Sequence, residues 1–124
     1  MASATTRLKR RSEFLRVASK GSKAPMPGMV LQALARDDQA PARVGFTVTR
    51  KVGNAVVRNR TKRRLREAVR LLLRDLDESG SPLRGVDLVV IGRDGTRGRR
   101  FPALIDDFGR ALRRTGALPR NETR

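Results

Sequence analysis

A chain of 124 residues has room for one domain with a modest core, and its formal net charge of +17, from 29 Lys and Arg against 12 Asp and Glu, makes a polyanion the expected partner. The absence of Cys and His excludes disulfides, thiolate or imidazole zinc sites, and catalysis by either side chain. No apolar run resembles a secretory signal or reaches the ~20 residues of a membrane span, so we expect a cytoplasmic protein without a membrane partner.

The N-terminal part of the sequence predicts a short helix followed by a strand. Residues 1–6 are expected to form a disordered tail, and a helix then runs from about Ser12 to Ser19, with Gly21 ending it. The prolines and glycines of residues 21–28 predict a loop or an irregular extended segment. The loose alternation from Met29 to Ala35 predicts a strand.

A second strand and a long helix follow. Asp37 to Pro41 is a predicted turn, and the apolar alternation from Val44 to Val48 predicts a strand that pairs with the strand before it as a hairpin. The Gly53-Asn54 step breaks that strand. From about Val57 to Leu76 the apolar residues fall on one helical arc and basic residues on the next, which predicts an amphipathic helix.

The C-terminal part predicts a buried strand and a closing helix. A loop from Ser79 to Gly85 precedes the continuous apolar run from Val86 to Ile91, which is typical of a central strand covered on both faces. Asp94 to Arg100 is a predicted turn, and Pro102 opens a helix that ends at about Arg114. The predicted order is therefore helix, strand, strand, long helix, strand, helix.

The strongest local signal is the basic start of the long helix. Six basic residues and no acid lie between Arg58 and Arg66, where the positive end of the helix dipole disfavours cations by about 0.3–1 kcal/mol each. A solvated helix face is the simpler interpretation, but the lack of acids favours a docked polyanion. Arg58 and Lys62 fall on the same side as Leu65, so either this end of the helix overhangs the sheet or the two side chains line a concave site.

The segment from Gly53 to Arg63, GNAVVRNRTKR, resembles the signature of the bacterial ribonuclease P protein component. The resemblance extends over about residues 7–115. It includes Glu13-Phe14 in the first helix, the strand that starts at Arg43, the Val86–Ile91 strand and the closing amphipathic helix. An eleven-residue block in this order of elements is far more specific than a lone Arg-Asn-Arg.

The resemblance implies an α+β fold, a single-domain α/β sandwich of order αβ(β)βαβα. About four strands carry a long basic helix and two shorter helices, and a left-handed βαβ crossover runs through the basic helix. The fourth strand would come from around Ala24 to Gly28 or from the division of a longer strand. The RNA-binding domain is expected to span residues 7–115, between the tail 1–6 and a flexible C-terminal tail, 116–124.

The resemblance also implies a surface for the catalytic RNA of ribonuclease P. It comprises the basic motif and the turn beside it. Its predicted residues are Arg50, Lys51, Asn54, Arg58, Asn59, Arg60, Lys62, Arg63 and Arg66.

A cleft between the first helix and the sheet is implied as the site of the single-stranded 5′ leader of precursor tRNA. Its predicted residues are Phe14, Val30, Gln32 and Lys51. Ala18 and Gln32 stand where relatives often carry an aromatic residue, so leader binding is expected to depend on backbone charge more than on stacking. Phe14 fits a core position equally well.

The function implied by the resemblance is that of the protein subunit of ribonuclease P, an endoribonuclease that removes the leader with Mg²⁺. The hydrolysis and the Mg²⁺ ions belong to the RNA, so no catalytic residue, protein-held metal or small-molecule substrate is expected. The alternatives are a structural ribosomal RNA-binding protein and a stand-alone metal-dependent nuclease. The second is disfavoured because the acids are scattered over Asp37-Asp38, Asp75 to Glu78 and Asp106-Asp107.

Overall fold

The computed structural model describes residues 5–118, which form a five-stranded sheet with helices on both faces. A single 3-10 turn, Arg50–Val52, precedes the longest helix. In chain order the elements are β1 (Thr6–Arg7), α1 (Arg11–Lys20), β2 (Ser22–Met26), β3 (Met29–Ala35), β4 (Arg43–Val48), α2 (Ala55–Glu78), β5 (Val86–Gly92), α3 (Asp94–Gly98) and α4 (Phe101–Arg114).

The strand order is β1-β4-β5-β3-β2, with β5 at the centre as its apolar run predicted. β5 pairs in parallel with β4 and antiparallel with β3. β2 and β1 form the two edges, antiparallel to β3 and parallel to β4 respectively. The parallel pair β4–β5 is connected through α2, which is the crossover that the resemblance implied; its left hand stays a prediction.

The predicted hairpin between β3 and β4 is wrong, because β5 lies between these two strands. An apolar strand covered on both faces also needs a partner at each edge, and the central position supplies both. The segment from Asp37 to Pro41 still turns the chain, and it leads across the sheet to β4 instead of folding back on β3. The side chain of Arg36 holds it by donating to the carbonyl oxygens of Ala40 and Pro41, each at 3.0 Å.

The predicted loop at residues 21–28 is also wrong, since Ser22–Met26 is β2 and pairs tightly with β3. Pro25 is tolerated there because β2 is an edge strand and one side of its backbone needs no partner. β2 is the fourth strand that the resemblance required, although it begins before Ala24. α3 replaces part of the turn predicted from Asp94 to Arg100.

The ends of the described chain are more ordered than expected. Thr6, placed in the predicted disordered tail, belongs to β1 and pairs with Arg43. Ala117 and Leu118, placed in the predicted flexible tail, pack against the main core. The remaining tail residues, 1–4 and 119–124, lie outside the described part, and the domain limits of 7 and 115 stay predictions. Within residues 5–118, no helix is long and apolar enough to cross a membrane.

Alternate side chains of the sheet face two different layers. The larger core lies under α2 and α4, where Leu31, Leu88 and Val90 meet Leu65 and Phe108, all of them fully buried. The opposite face is covered only in part, by α1. There the smaller cluster is built from Leu8, Val17 and Val89, with Phe14, Leu34 and Ile91 packed against it. One face of the sheet is therefore covered by two helices, and the other face is covered only in part by α1.

A buried carboxylate fastens α1 and the β3–β4 connection to the sheet. Asp87, 4% exposed, accepts hydrogen bonds from Arg43 at 2.7 and 2.9 Å and from Arg36 at 2.6 Å. Arg43 also donates to Glu13 of α1 at 2.8 Å. Burial works to raise the pKa of Asp87, but the hydrogen bonds from the two guanidinium groups outweigh it, and the pKa lies below its ordinary value.

We predict that Asp87→Asn lowers the free energy of unfolding by about 3 kcal/mol near neutral pH, because it removes the buried carboxylate that Arg36 and Arg43 share and leaves them only the more exposed Asp38 and Glu13. The depressed pKa means that the carboxylate stabilises the fold fully above its unfolded pKa, about 3.9, and that this contribution is lost as the pH falls through the lower folded value. Urea unfolding at about pH 7 and about pH 2 checks both statements.

Exposed Asp75→Asn serves as the control and is expected to change the unfolding free energy by less than about 0.5 kcal/mol. A loss in Asp87→Asn that is equally large at both pH values would contradict the assignment of the stabilisation to the ionised carboxylate.

Candidate nucleic-acid interface

One end of the sheet gathers most of the predicted catalytic-RNA residues, and we call it the basic end. β4 and β5 are parallel, so both finish there; the chain leaves β4 through the 3-10 turn into α2 and leaves β5 into α3. The basic end comprises residues 50–66 and 93–100. Its exposed cations are Arg50, Lys51, Arg60, Arg63, Arg66, Arg93, Arg97 and Arg100.

The basic start of α2 is held by a neutral cap. The side-chain oxygen of Asn54 accepts a hydrogen bond from the backbone N–H of Val57 at 3.0 Å, and the first turn contains no acid. An amide cap satisfies a free N–H group without placing a negative charge there. The positive potential of the helix end is therefore retained, and Asn54 has a structural role beside its predicted place on the RNA surface.

Arg58 and Lys62 are both half-buried along one flank of α2. The guanidinium of Arg58 turns back to donate to the carbonyl oxygen of Gly53 at 2.8 Å. Thr61 lies buried between the two positions in the chain and donates to the carbonyl oxygen of Val57 at 2.9 Å. The helix therefore meets the sheet along this stretch instead of overhanging it, and Arg58 supports the turn before α2.

The second half of α2 has a different charge balance. Arg70 is paired with Glu67, whose pKa is lowered by hydrogen bonding from that guanidinium. Asp75, Asp77 and Glu78 follow in the last turn. Across the described residues, no ion pair involves Arg60, Arg63 or Arg66. Unpaired cations are thus concentrated in the first half of the helix, which is the half that the sequence singled out; in the second half, Arg74 alone lacks an ion pair among the described residues.

The predicted leader cleft maps to the α1 face of the sheet, where α1 leaves one row of side chains uncovered. This row, the cleft floor, crosses four strands through the pairs Pro25–Val30, Val30–Ile91 and Ile91–Thr47. Val30, Ile91 and Thr47 are half-buried, and Pro25 is exposed. The floor is therefore a mainly apolar strip that a bound strand can cover.

Gln32 belongs to the neighbouring row of the sheet, with Val89 and Gly45, and Phe14 of α1 packs over that row. A Cβ atom at Gly45 would lie 2.5 Å from Phe14 Cζ, so the ring rests on the sheet because position 45 has no side chain. Phe14 packs against the smaller core cluster and stays half-buried, so it has a core role, while its role in the leader cleft stays a prediction. Gln32 is only 8% exposed and is not part of the uncovered floor.

The cleft floor continues into a depression of about 540 Å³ at the basic end. Arg93 closes one side and donates to the carbonyl oxygen of Met26 at 3.1 Å. Lys51 joins the depression to the start of α2, so it lies beside both predicted sites. The lining residues are Pro25, Met26, Pro27, Thr49, Lys51, Arg93, Asp94 and Gly95.

Sequence reasoning missed Ile91, Thr47 and Arg93 as cleft residues. The missing information was the strand register, since a hairpin of β3 with β4 would have put different residues beside Val30. Arg93 carried one signal, a cation directly after the central strand, where parallel strands end and ligands often bind. Within residues 5–118, no three acids lie close enough to hold a metal ion.

Comparisons with known proteins agree with one family. The family model described as Ribonuclease P matches residues 2–116. A ribonuclease P protein component from Gluconacetobacter diazotrophicus is 66% identical over 94% of this chain and 96% of its own length. Another, from Paramagnetospirillum magneticum, is 48% identical over 95% of this chain and 88% of its own length. The ribonuclease P protein from Thermotoga maritima superposes with a TM-score of 0.68 at 28% identity, covering 87% of this chain and 96% of that one.

We predict that Asn54→Ala lowers the free energy of unfolding by about 1 kcal/mol, since the substitution removes the capping hydrogen bond to Val57. Asn59→Ala is the matched control, because Asn59 is exposed inside the same helix; it should be neutral or slightly stabilising. Thermal and urea unfolding of the two variants provide the comparison. Equal stabilities would contradict the capping role of Asn54.

Proposed function

The chain belongs to the ribonuclease P protein family, and from this premise we propose that it is the protein subunit of a holoenzyme that removes the 5′ leader of precursor tRNA. The catalytic RNA binds the basic end, and the leader lies along the cleft floor. The observation that carries the proposal is the meeting of these two surfaces at Lys51. One protein can thereby hold the RNA catalyst and the strand that it cuts in a fixed relation.

The role of the basic end is electrostatic. Catalytic RNA and precursor tRNA are both polyanions, and their approach is opposed by phosphate repulsion. Each phosphate neutralised by an exposed cation such as Arg60 or Arg63 releases condensed counterions, which favours binding. Cations without protein partners are the most effective here, because no ion pair has to be broken first.

The role of the cleft is to hold a single strand with little sequence preference. The apolar floor offers contact to bases and riboses, while Lys51 and Arg93 at its end offer charge to phosphates. Phe14 is the aromatic side chain at the cleft, and a base stacked on it would contribute about 1–3 kcal/mol. The leader is thus recognised mainly by its backbone and by one stacking position.

The chemistry remains with the RNA partner in this proposal. RNA-bound Mg²⁺ supplies the activated water that attacks the phosphodiester. The described residues bring no cluster of acids together, so the proposal asks no metal ligation of the protein. The chain's own residues bind, orient and neutralise, and none of them transfers a proton.

Reconstitution at low Mg²⁺ tests the proposal. The chain is combined with the ribonuclease P RNA of its 66% identical relative, and leader removal is measured as a function of Mg²⁺. We expect the chain to stimulate cleavage at Mg²⁺ concentrations where the RNA alone is slow, since it replaces part of the charge screening that Mg²⁺ provides. Cleavage by the protein alone, or no stimulation of the RNA, would contradict the proposal.

In the same assay, the triple variant Arg60→Ala, Arg63→Ala, Arg66→Ala is expected to lose the stimulation while keeping its fold. The control, Arg74→Ala, Arg84→Ala, Arg113→Ala, removes the same charge from exposed positions outside the basic end and should retain it. Binding of the RNA should weaken, and the log–log salt slope should fall by about 0.9 for each duplex phosphate that the variant no longer neutralises. Equal effects in both variants would show that net charge alone matters.

The cleft is tested separately with Val30→Asp, which places a carboxylate on the cleft floor. We expect precursor tRNA to bind the reconstituted holoenzyme roughly 10-fold more weakly, while mature tRNA, which lacks a leader, is unaffected. Leu15→Asp is the control, because Leu15 is 54% exposed on α1 and lies outside the floor. An equal effect on precursor and mature tRNA would contradict a leader site at this row.

A further inference from the structure

We propose that α3 and the residues after it form a second element of the catalytic-RNA surface, in which Arg97 and Arg100 contact phosphates of the same RNA that binds α2. The inference rests on the proposed function and extends it to a segment outside the Arg-Asn-Arg helix. It starts from Arg64, the one basic residue of the Arg58–Arg66 run whose described hydrogen bonds all go to α3 and the residue after it.

Arg64 fastens α3 to the first half of α2. Its guanidinium donates to the backbone carbonyl oxygens of Thr96 at 2.6 Å, Arg97 at 3.2 Å and Arg99 at 2.5 Å. These carbonyl groups lie at the end of α3 and directly after it, and the carbonyl oxygen of Thr96 also accepts from the backbone N–H of Arg99 at 3.3 Å. The backbone of Arg97 is therefore in direct contact with α2, one helical turn from Arg60.

The α3 segment is rigid because its other contacts are buried. The hydroxyl of Thr96, fully buried, donates to the carbonyl oxygen of Gly28 at 2.6 Å and accepts from the N–H of Arg93 at 2.9 Å. Asp107, 1% exposed, accepts from Arg99 at 2.9 and 3.0 Å and from the N–H of Gly28 at 3.0 Å. Binding a ligand here requires only two side chains to be ordered, because the backbone is already fixed.

The cations that this segment presents are not neutralised within the described chain. Arg97 and Arg100 are exposed, and no ion pair among residues 5–118 involves either of them. Two of the acids nearby already form ion pairs with other residues, Asp107 with Arg99 and Asp106 with Arg110 at 3.0 Å. Asp94 is the exposed acid on α3 itself. The local balance is positive, and a polyanion is the partner that such a surface fits.

The position of α3 favours the catalytic RNA over the leader. Asp94 and Gly95, at its start, line the depression at the end of the cleft, whereas its end is held by Arg64 on the α2 side of the sheet. Arg97 and Arg100 follow at that second side, beside the α2 cations. A continuous surface across two elements then spans more of a folded RNA than one helix can.

The test compares Arg97→Ala, Arg100→Ala with the control Arg74→Ala, Arg84→Ala, which removes the same charge from exposed positions away from the basic end. Affinity for catalytic RNA alone is measured against salt, without precursor tRNA. The first variant is expected to bind roughly 5- to 10-fold more weakly, with a log–log salt slope smaller by about 1.8, and the control to stay within about twofold of wild type. Arg97→Lys, Arg100→Lys should keep most of the affinity, because it keeps the charge.

The outcomes separate the two proposals. If wild type fails to bind catalytic RNA, the proposed function fails. If wild type binds and Arg97→Ala, Arg100→Ala matches the control variant, the α3 inference is overturned while the proposed function stands. In a second measurement, leader-bearing precursor tRNA is titrated into the reconstituted holoenzyme. A variant that weakens only this binding, with its affinity for catalytic RNA unchanged, would also overturn the inference, since it would assign α3 to the cleft. Circular dichroism and thermal unfolding confirm that each variant is folded.

Discussion

The proposed RNA-binding surface depends on where the protein neutralises its own charge. With so few acids, each carboxylate strongly affects the distribution of positive potential. Asp87 and Glu13 pair with Arg43 between α1 and the sheet, and Asp107 of α4 pairs with Arg99. Asp75, Asp77 and Glu78 lie in the last turn of α2, away from its basic start. The exposed cations of the basic end are therefore left without a carboxylate partner among the described residues. Internal ion pairs thereby serve two purposes, since they hold the layers together and leave one surface for a polyanion.

The sheet topology converts this charge distribution into a working surface. Parallel β4 and β5 deliver two chain segments to the same end, so the start of α2 and the α3 turn lie side by side. The unequal coverage of the two sheet faces leaves the cleft floor exposed. Two helices cover one face, and α1 covers only part of the other, which leaves the Val30–Ile91–Thr47 row accessible. Lys51 lies where the two surfaces meet.

The sequence predicted the features that depend on local patterns. The strong periodicity of α2 and the apolar run of β5 gave both elements within a few residues, and the basic motif located the basic end. The predictions that failed concern contacts between residues far apart in the chain. The pairing of β3 with β5 is decided by burial of the central strand, and a chain read locally favours the hairpin instead. Without the strand register, Ile91 and Thr47 could not be placed beside Val30. Arg64 looked like its neighbours, because its distinction is a set of carbonyl groups more than thirty residues away in the chain.

The central claim is that RNA binds the basic end and the cleft floor and does not bind the other end of the sheet, where residues 37–41 and 75–85 lie. Amide hydrogen exchange of the whole chain, measured with and without catalytic RNA and precursor tRNA, tests it most directly. We expect RNA to slow exchange in residues 50–66, in α3 and along the Val30 and Ile91 segments, and to leave residues 75–85 unchanged. Protection concentrated at residues 37–41 and 75–85, with the start of α2 unaffected, would contradict it.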